Sequence, residues 1–406
     1  MQGPETGVPA YSLFYSIPDG PNGSIYSLHY HAGTNMLYAG GAFTSFLSGT
    51  TQGDGHVAAL NLTTMEWEEV GEGLSGDVYD LLMFQDTLYA AGYFEGLSGV
   101  PTGVAKLTPN GWQAVGYLND TVFKLQEFQG ALYAGGDFVH NSPGYSFMHV
   151  AKWQQNQWSS PGFAFNGRVR AMTVRGQHLV IGGDFLHAGI AEAKHIFIWD
   201  GQNSAPTDDP GGPVHALAVQ QNNLWAGGPI VSATDTFGLV LLDSLYGAWE
   251  KKLSINTLNH NGTLPASTLH SMGIKTLHVI TNEHPDFQSQ HVLYAGGDFL
   301  YEPSPEVGRR GKNAARMDMV QGMHGDTWAD STIFEVVEAD GKIFLAGAFT
   351  QLNGVSTQFI AYSMQEVTSL ETESPNDSWV LFPNPSQGNG LYIKTPKGIE
   401  GWVNTQ

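Results

Sequence analysis

The sequence contains no cysteine among its 406 residues. This absence excludes disulfide bonds, thiolate metal sites and cysteine nucleophiles. Charged residues are also scarce, at 14% of the chain, against about 25% in an average domain. Basic residues are the rarer kind, since 17 Lys and Arg stand against 38 Asp and Glu, for a net charge of -21. Because phosphate binding needs a basic surface, this balance argues against a nucleic-acid partner.

Long apolar segments and catalytic signatures are missing as well. No apolar run approaches the roughly 18 residues of a membrane-spanning helix, so we expect no membrane insertion. The first four residues, Met-Gln-Gly-Pro, lack the features of a signal peptide, so an exported form would begin after its cleavage point. No nucleophile elbow, phosphate-binding loop or zinc signature is present. We therefore predict no catalytic residue and no required cofactor, and the sequence leans against an enzyme without deciding the question.

The dominant feature of the sequence is a phrase that occurs seven times. Residues 37–43 have the pattern Leu-Tyr-Ala-Gly-Gly-Ala-Phe, and related segments begin at residues 88, 132, 179, 224, 293 and 343. The spacing between the second glycines of successive copies runs from 44 to 69 residues. A step of this size is typical of propellers and other repeat architectures.

The second repeat shows what one unit contains. Its apolar runs cover residues 78–84, 87–94, 104–107 and 112–115, and short turns separate them. Four short strands joined by hairpins make one propeller blade. We therefore predict an all-β fold, a seven-bladed β-propeller of four-stranded antiparallel blades.

The last repeat lacks a fourth strand, which the N-terminus can supply. After residue 364 the chain enters an acidic, proline-containing stretch, whereas residues 11–16 form a strand-like run ahead of the first repeat. We predict that this run pairs beside residues 359–362, because a closed ring leaves no exposed sheet edge. The predicted domains are a propeller over residues 11–366, a linker over 367–378 and a short β fragment over 379–406.

Within the repeated phrase, the glycines, aromatic residues and aspartates lead to different predictions. The glycines allow close approach of backbones, and the phenylalanines and fourth-strand tryptophans are expected to fill the core. Asp137, Asp184 and Asp298 follow the glycine pair in three repeats. Each can accept hydrogen bonds from its own loop, as Asp does in turns. The alternative is a calcium site, which would need about six to eight oxygen ligands.

Histidine also recurs at one place in the repeat. His56, His149 and His195 each begin a third strand. A structural role is one interpretation, and ligand or metal binding is the other. No paired-histidine metal signature supports the second interpretation.

The residues that start the innermost strands are expected to lie near the central channel. Aligned there are Tyr26, Tyr79, Phe123, Arg170, His215, Lys275 and Phe334. The candidate ligand-binding residues are Tyr26, Tyr79, Arg170, His215 and Lys275. Their cations could hold a uronate, sulfate or carboxylate while the tyrosines stack on sugar rings. The alternative is that these side chains only fill the channel and pack the blades.

The repeat resembles the Leu-Tyr-Ala-Gly-Gly-x-Phe type of secreted bacterial propellers, which is related in style to kelch repeats. The resemblance covers about residues 11–366. It implies the propeller fold, with the longer loops gathered on one face, and does not imply an activity.

A second resemblance concerns the C-terminal residues. Residues 379–393, Trp-Val-Leu-Phe-Pro-Asn-Pro-Ser-Gln-Gly-Asn-Gly-Leu-Tyr-Ile, resemble the opening of a type A sorting domain of the type IX secretion system, as carried by cargo proteins of Bacteroidota. Such domains form a small β-sandwich, of which this chain holds only residues 379–406. The resemblance implies a protein that is extracellular or on the outer-membrane surface. Its C-terminal domain would engage the secretion machinery.

Three functions are compatible with these observations. The leading hypothesis is an exported or cell-surface recognition module that binds a glycan or protein ligand through its long-loop face. The first alternative is an extracellular carbohydrate-active enzyme, a polysaccharide lyase or hydrolase, using the region of Tyr79, Arg170 and His215. The second alternative is a scaffold in a surface complex.

Overall fold

The structure is a computed structural model that describes most of the chain. The described residues are 14–46, 55–97, 99–142, 145–205, 207–231, 236–242, 249–254, 273–282, 290–301, 311–318, 322–324, 327–364, 380–383, 390–394 and 400–404. The predicted linker and the first three residues of the N-terminal run lie outside these ranges. Across the described residues the regular elements are strands, and none is a helix that could cross a membrane. The strands between residues 14 and 364 belong to one compact unit, and the three C-terminal strands belong to a second.

The first unit is a β-propeller of four-stranded antiparallel blades, as the repeats predict. Six of these blades are each formed by successive strands of the chain. Blade 1 consists of Ile25–His31, Met36–Gly41, Val57–Asn61 and Glu66–Glu69, and blade 2 of Val78–Phe84, Thr87–Phe94, Thr102–Thr108 and Gly111–Ala114. Blade 3 consists of Val122–Phe128, Ala131–Ser142, Tyr145–Gln154 and Gln157–Ser159, and blade 4 of Val169–Arg175, His178–Gly183, Ile196–Trp199 and Ser204–Ala205. Blade 5 consists of Ala216–Gln220, Asn223–Val231, Thr236–Leu242 and Glu250–Ser254, and blade 6 of Gly273–Asn282, Gln290–Tyr301, Gly311–Asp318 and Gly322–His324. A hairpin, His187–Ala188 with Ala191–Glu192, is inserted into blade 4.

A further four-stranded sheet combines the two ends of the first unit. Its strands are Ile333–Ala339, Lys342–Gly347, Ile360–Met364 and, at the outer edge, Phe14–Ser16. A second short hairpin, Gln351–Leu352 with Val355–Ser356, is inserted into it. We call it the composite sheet. Phe14 lies opposite Ser363 and Ser16 lies opposite Ala361. The predicted pairing of the N-terminal run with the last repeat is therefore observed for the part of that run that the structure describes.

The second unit contains a three-stranded antiparallel sheet. Its strands are Val380–Pro383, Gly390–Lys394 and Glu400–Asn404, and the middle strand pairs with both others.

The first strands of the sheets surround the centre of the propeller. Each of them contacts the first strand of the sheet before it and of the sheet after it, and that of the composite sheet contacts those of blades 6 and 1. Antiparallel neighbours reverse direction at each hairpin, so alternate connections leave from the same end of a blade. The connections between second and third strands, and those that lead into the next first strand, therefore share one face. We call it the long-loop face; in blade 2 its described residues are 95–97, 99–101 and 115–121.

The two glycines of the repeated phrase make two different close contacts. A Cβ on Gly183 would collide with the backbone carbonyl of Arg168, just before the first strand. A Cβ on Gly182 would collide with the side chain of Val214 in the next blade. The first kind of collision recurs at the second glycine of all seven repeats. The repeat therefore keeps glycine where neighbouring backbones and blades approach each other most closely.

The aromatic residues of the repeat form the core, as predicted. The motif phenylalanines with at most 2% exposure are Phe43, Phe94, Phe138, Phe185 and Phe349. The fourth-strand tryptophans Trp112 and Trp158 are buried, and their indoles donate hydrogen bonds to the carbonyls of Val70 and Val115. In blade 5 the buried Ile230 takes the place of the phenylalanine.

The three histidines that the sequence places at the start of third strands have structural partners; His56 and His195 lie just before these strands, whereas His149 lies within Tyr145–Gln154. The Nδ1 atoms of His56, His149 and His195 lie 3.0, 3.2 and 3.3 Å from the carbonyl oxygen of the second glycine of their own repeat. All three have a positive φ, between 64° and 72°. This shared geometry favours the structural interpretation over ligand binding.

A polar side chain three residues before the first strand braces the long-loop face, which sequence analysis did not foresee. Asn166 accepts hydrogen bonds from the amides of Leu186 and His187, both at 2.9 Å. The equivalent acceptors in other sheets are Asn22, Ser75, Asn119 and Asp330. Each of them fixes the backbone just after the motif phenylalanine to the segment that leads into the first strand. The loops of this face are therefore held in place by hydrogen bonds within each sheet.

Candidate functional site

Seven side chains lie at the centre of the long-loop face; the side chain of His215 is buried, at 7% exposure, and the other six residues are partly exposed. We call them the axial ring: Tyr26, Tyr79, Phe123, Arg170, His215, Lys275 and Phe334. In every sheet the residue before the ring member is a fully buried valine or isoleucine. The buried residue anchors the start of the strand, and the next residue is left accessible.

A β-bulge accounts for the placement of the ring. In blade 4 the pairing register shifts between Val169 and Ala171, so Arg170 has no partner in the ladder. The same shift occurs at the corresponding place in blades 1, 2, 3 and 6 and in the composite sheet. Bulges redirect a side chain and are enriched next to functional sites. In blade 5, His215 lies just before the strand and its amide bonds to the carbonyl of Gly227 at 2.8 Å.

One half of the axial ring is a continuous aromatic arc. The ring of Tyr26 lies 5.1 Å from that of Phe334, edge to face, and 5.4 Å from that of Tyr79, stacked at an interplanar angle of 6°. Tyr79 in turn contacts Phe123 edge to face at 5.3 Å. Burial, followed by the charge of Asp77, raises the pKa of both tyrosines. Their hydroxyls therefore stay protonated at neutral pH and can donate hydrogen bonds.

The other half is a polar arc centred on a carboxylate. Arg170 donates three hydrogen bonds to Asp184, at 2.8, 3.0 and 2.8 Å, and its guanidinium lies 5.7 Å from the Phe123 ring centre. Nε2 of His215 is 3.5 Å from Asp184, and Nδ1 of His215 is 3.4 Å from the ammonium of Lys275. Asp184, His215 and Lys275 therefore form one polar chain across three blades.

The protonation states follow from burial and from these contacts. Burial lowers the pKa of His215 to about 4, and Lys275 and Arg170 act in the same direction. Burial raises the pKa of Asp184, but hydrogen bonds from His215 and Arg170 outweigh it and hold the pKa well below its usual range. Burial and Arg170 lower the pKa of Lys275. At neutral pH, His215 is thus an uncharged imidazole between the carboxylate of Asp184 and the side-chain nitrogen of Lys275.

The three aspartates predicted as a weak metal set have separate basic neighbours. Asp137 accepts from Nε of Arg168 at 2.7 Å, and Asp184 is bound by Arg170. The charge of Asp298 acts on Lys275. Over the described residues, no group of three or more His, Asp or Glu side chains is placed to hold a metal ion. Calcium binding stays the alternative interpretation, and these cations compete for the oxygens that it would use.

A second polar layer lies among the next residues of the first strands. Asp80 is 3% exposed and binds the ammonium of Lys124 at 2.8 Å and the amide of Leu125 at 2.7 Å. Burial lowers the pKa of Lys124, but the charges of Asp80 and Glu335 outweigh it and raise the pKa. Burial raises the pKa of Glu335 to about 7, against the opposing charge of Lys124. Sequence analysis did not single out these three charged residues.

The structure assembles the predicted candidates in part as the alignment suggests. Tyr26 and Tyr79 are stacked, and Arg170, His215 and Lys275 lie in one polar arc. That they bind a ligand stays a prediction. From the sequence, Asp184 was a candidate only as one of three possible calcium ligands. Its position inside the polar arc was not predicted. The register of the hairpin could have indicated that Asp184 lies near Arg170. Val169 pairs with Gly183, so the residues that follow these two positions lie close together.

Comparison with known proteins adds no family assignment. The chain matches no model of a known protein family, and no curated protein is significantly similar to it.

Proposed function

We propose that this chain is an exported recognition module and that its axial ring binds a neutral sugar ring. The observation that supports the proposal is the division of the axial ring into a stacked aromatic arc and a hydrogen-bonded polar arc. The apolar faces of pyranose rings pack on aromatic side chains, and their hydroxyls bond to planar polar groups.

Neutral ligands fit this site better than the acidic ligands that the sequence alone suggests. The carboxylates of Asp184 and Asp298 offset the cations of Arg170 and Lys275, and His215 is uncharged at neutral pH. Two of the three guanidinium nitrogens of Arg170 already bind Asp184. A uronate or sulfate would therefore meet little net positive charge and would compete with Asp184 for Arg170.

Titration calorimetry with neutral, uronate and sulfated oligosaccharides tests the proposal. We expect the neutral class to bind and expect Tyr79→Ala and Arg170→Ala each to weaken binding about tenfold or more, which corresponds to about 1.4 kcal/mol. Tyr117→Ala is a matched control, because Tyr117 is an exposed tyrosine of the same face that does not belong to the axial ring. If Arg170→Ala and His215→Ala leave every detected binding unchanged, the site proposal is wrong.

The polar chain from Asp184 through His215 to Lys275 favours a carbohydrate-active enzyme as a second candidate. A general base must be unprotonated, and its pKa is best placed near the working pH. His215, whose pKa is about 4, would be a weak base. Lys275 would have to lose its proton before it could act as a base, and burial lowers its pKa in the direction that eases this loss. New reducing or unsaturated ends on a polysaccharide panel, lost in Lys275→Met, would support a hydrolase or lyase over a binding module.

We further propose that the composite sheet is the seventh blade of a closed ring spanning residues 11–366. Its first strand contacts the first strands of blades 6 and 1, which supports this count. If the ring has seven blades, a circular permutant in which residues 11–16 directly follow residue 364 will keep the native melting temperature. A permutant that fails to fold, while a permutant opened between blades 3 and 4 folds, contradicts it.

The C-terminal residues 379–406 are proposed to belong to a type A sorting domain that follows a linker at 367–378. The three-stranded sheet of this region is compatible with the opening of a β-sandwich. On this proposal the protein is a kelch-like propeller that reaches the cell exterior or outer-membrane surface through the type IX machinery. Fusion of residues 366–406 to a periplasmic reporter tests whether this segment directs export.

A further inference from the structure

We infer that the long-loop face of blades 2 to 4 is a docking surface for a protein partner that presents basic side chains around apolar ones. The inference rests on exposed apolar residues, their physical continuity and the charge around them. It does not depend on sugar binding at the axial ring.

The exposed large apolar side chains are confined to one face of the described propeller. They are Tyr93, Val100, Tyr117, Val139, Leu186, Ile190 and Trp328, with exposures from 37% to 106%. All seven lie in connections of the long-loop face or at the strand ends that lead into them. The turns of the opposite face, over the described residues, contain none. Single exposed apolar residues are ordinary, but their confinement to one face marks an interaction surface.

Six of these side chains lie on three successive blades whose loops contact one another. Thr102 of blade 2 donates a hydrogen bond to the carbonyl of Gly116, next to Tyr117. Tyr117 meets His140 of blade 3 edge to face at 6.3 Å. The loops of blades 2 and 3 that contain these residues are therefore in contact with each other.

The same continuity extends from blade 3 to blade 4. The amide of Phe165 bonds to the carbonyl of Met148, and the amide of Gly189 bonds to the carbonyl of Ala164. The segment before blade 4 is thus bonded both to the third strand of blade 3 and to the hairpin that is inserted into blade 4. Because backbone hydrogen bonds and the Asn166 side chain hold these loops, the surface is preformed and loses little conformational entropy on binding.

The charge of this surface selects the partner. The carboxylates of its described loops include Glu72, Asp77, Glu95, Asp120 and Glu192. The lysine and arginine of these loops already face acids, since Arg168 binds Asp137 and Lys194 lies 3.3 Å from Glu192. An acidic partner, and a second copy of this chain with its net charge of -21, would be repelled.

Aliphatic side chains favour a protein over a glycan at this surface. Val100, Val139, Leu186 and Ile190 offer apolar area without the flat rings that stack on sugars. Protein interfaces combine an apolar centre that is enriched in aromatic residues with a polar rim. The complementary partner therefore presents lysine or arginine around leucine, isoleucine or aromatic side chains.

Selection from a phage-displayed library of random 12-residue peptides on the full chain tests the inference. We expect enriched peptides to combine basic and apolar residues. The strongest peptide, synthesised with a fluorophore, is then titrated by anisotropy. Leu186→Ser with Ile190→Ser is expected to raise its Kd about tenfold, as two interface anchors are lost. Glu95→Lys with Glu192→Lys is expected to raise the Kd several-fold at 50 mM salt, with the difference shrinking at 500 mM.

Matched variants separate this surface from the axial ring. Trp328→Ser alters an exposed apolar residue of the same face outside blades 2 to 4 and is expected to leave the peptide Kd unchanged. Tyr79→Ala is also expected to leave it unchanged, whereas Leu186→Ser with Ile190→Ser should spare any sugar binding. If the double serine variant melts early, Tyr117→Ser replaces it. Enrichment of acidic peptides, no enrichment at all, or self-association of the chain through this surface overturns the inference. A peptide Kd that neither Leu186→Ser with Ile190→Ser nor Tyr117→Ser changes also overturns it.

Discussion

The substitution Glu335→Gln gives a prediction with a sign and a size. Glu335 lies in the first strand of the composite sheet, where its Oε1 accepts hydrogen bonds from Thr276 at 3.0 Å and from the amide of Val336 at 3.1 Å. Burial raises its pKa from 4.5 to about 7, although the charge of Lys124 opposes this. The folded protein therefore holds this proton more tightly than the unfolded chain does.

The raised pKa makes the Glu335 contribution to stability fall with increasing pH. The contribution is fully present below pH 4.5, the pKa of the group in the unfolded chain, and is lost as pH rises through about 7. Between pH 5 and pH 8 the expected loss is about 2.5 kcal/mol, since each pKa unit corresponds to about 1.4 kcal/mol. A glutamine cannot ionise, so the variant lacks this term.

Urea unfolding of both proteins at pH 5, 6, 7 and 8 measures the effect. The free energy of unfolding of Glu335→Gln minus that of the wild type should become more positive by about 2.5 kcal/mol from pH 5 to pH 8. Glu127→Gln, which removes an exposed carboxylate from another first strand, is the control for loss of charge alone. If this difference in the free energy of unfolding stays constant or falls with increasing pH, the pKa of Glu335 is not raised in the folded protein and the reasoning is refuted.

Three substitutions and one chelator treatment test how the propeller is held together. Gly183→Ala should destabilise the propeller by about 2 kcal/mol or more, because the added methyl collides with a backbone carbonyl. If this variant has the same free energy of unfolding as the wild type, the packing role of the motif glycine is contradicted. Asn166→Ala removes two hydrogen bonds and should cost about 1 to 2 kcal/mol, with Asn166→Asp restoring most of it in chemical denaturation. Phe14→Ala should cost about 3 kcal/mol if the N-terminal strand closes the composite sheet, and an unchanged unfolding midpoint would show that the strand is dispensable. Chelator should leave the melting temperature unchanged, because Asp137 and Asp184 are paired with arginines; a drop would show a structural ion.

The repeated phrase made the blades predictable because it couples local pattern to packing. Glycine occupies the position where a Cβ on Gly183 would strike the neighbouring backbone, and the buried Phe185 follows two residues later. Both constraints act within one repeat, so they are visible in the sequence. The missing fourth strand of the last repeat likewise pointed to the pairing of Phe14 with Ser363. Only the number of sequence-continuous blades, six, differs from the count of repeats.

The candidate site was less predictable because its contacts join different blades. Alignment of first strands placed Arg170, His215 and Lys275 together, since they share a register position. It did not show that Asp184 would neutralise Arg170, because that depends on side-chain geometry across a bulge. Asp80 and Lys124 form a pair although they lie 44 residues apart in the sequence, and no periodic pattern in the sequence predicts such a contact.

Glycan-array binding at two salt concentrations tests the central claim most directly. If the axial ring recognises neutral sugars by stacking and hydrogen bonding, the bound glycans will lack uronate and sulfate. Their signals will then be nearly equal at 50 and 500 mM salt, because such contacts are little screened. Retention of acidic glycans only, with signals that collapse as salt rises, would contradict the account.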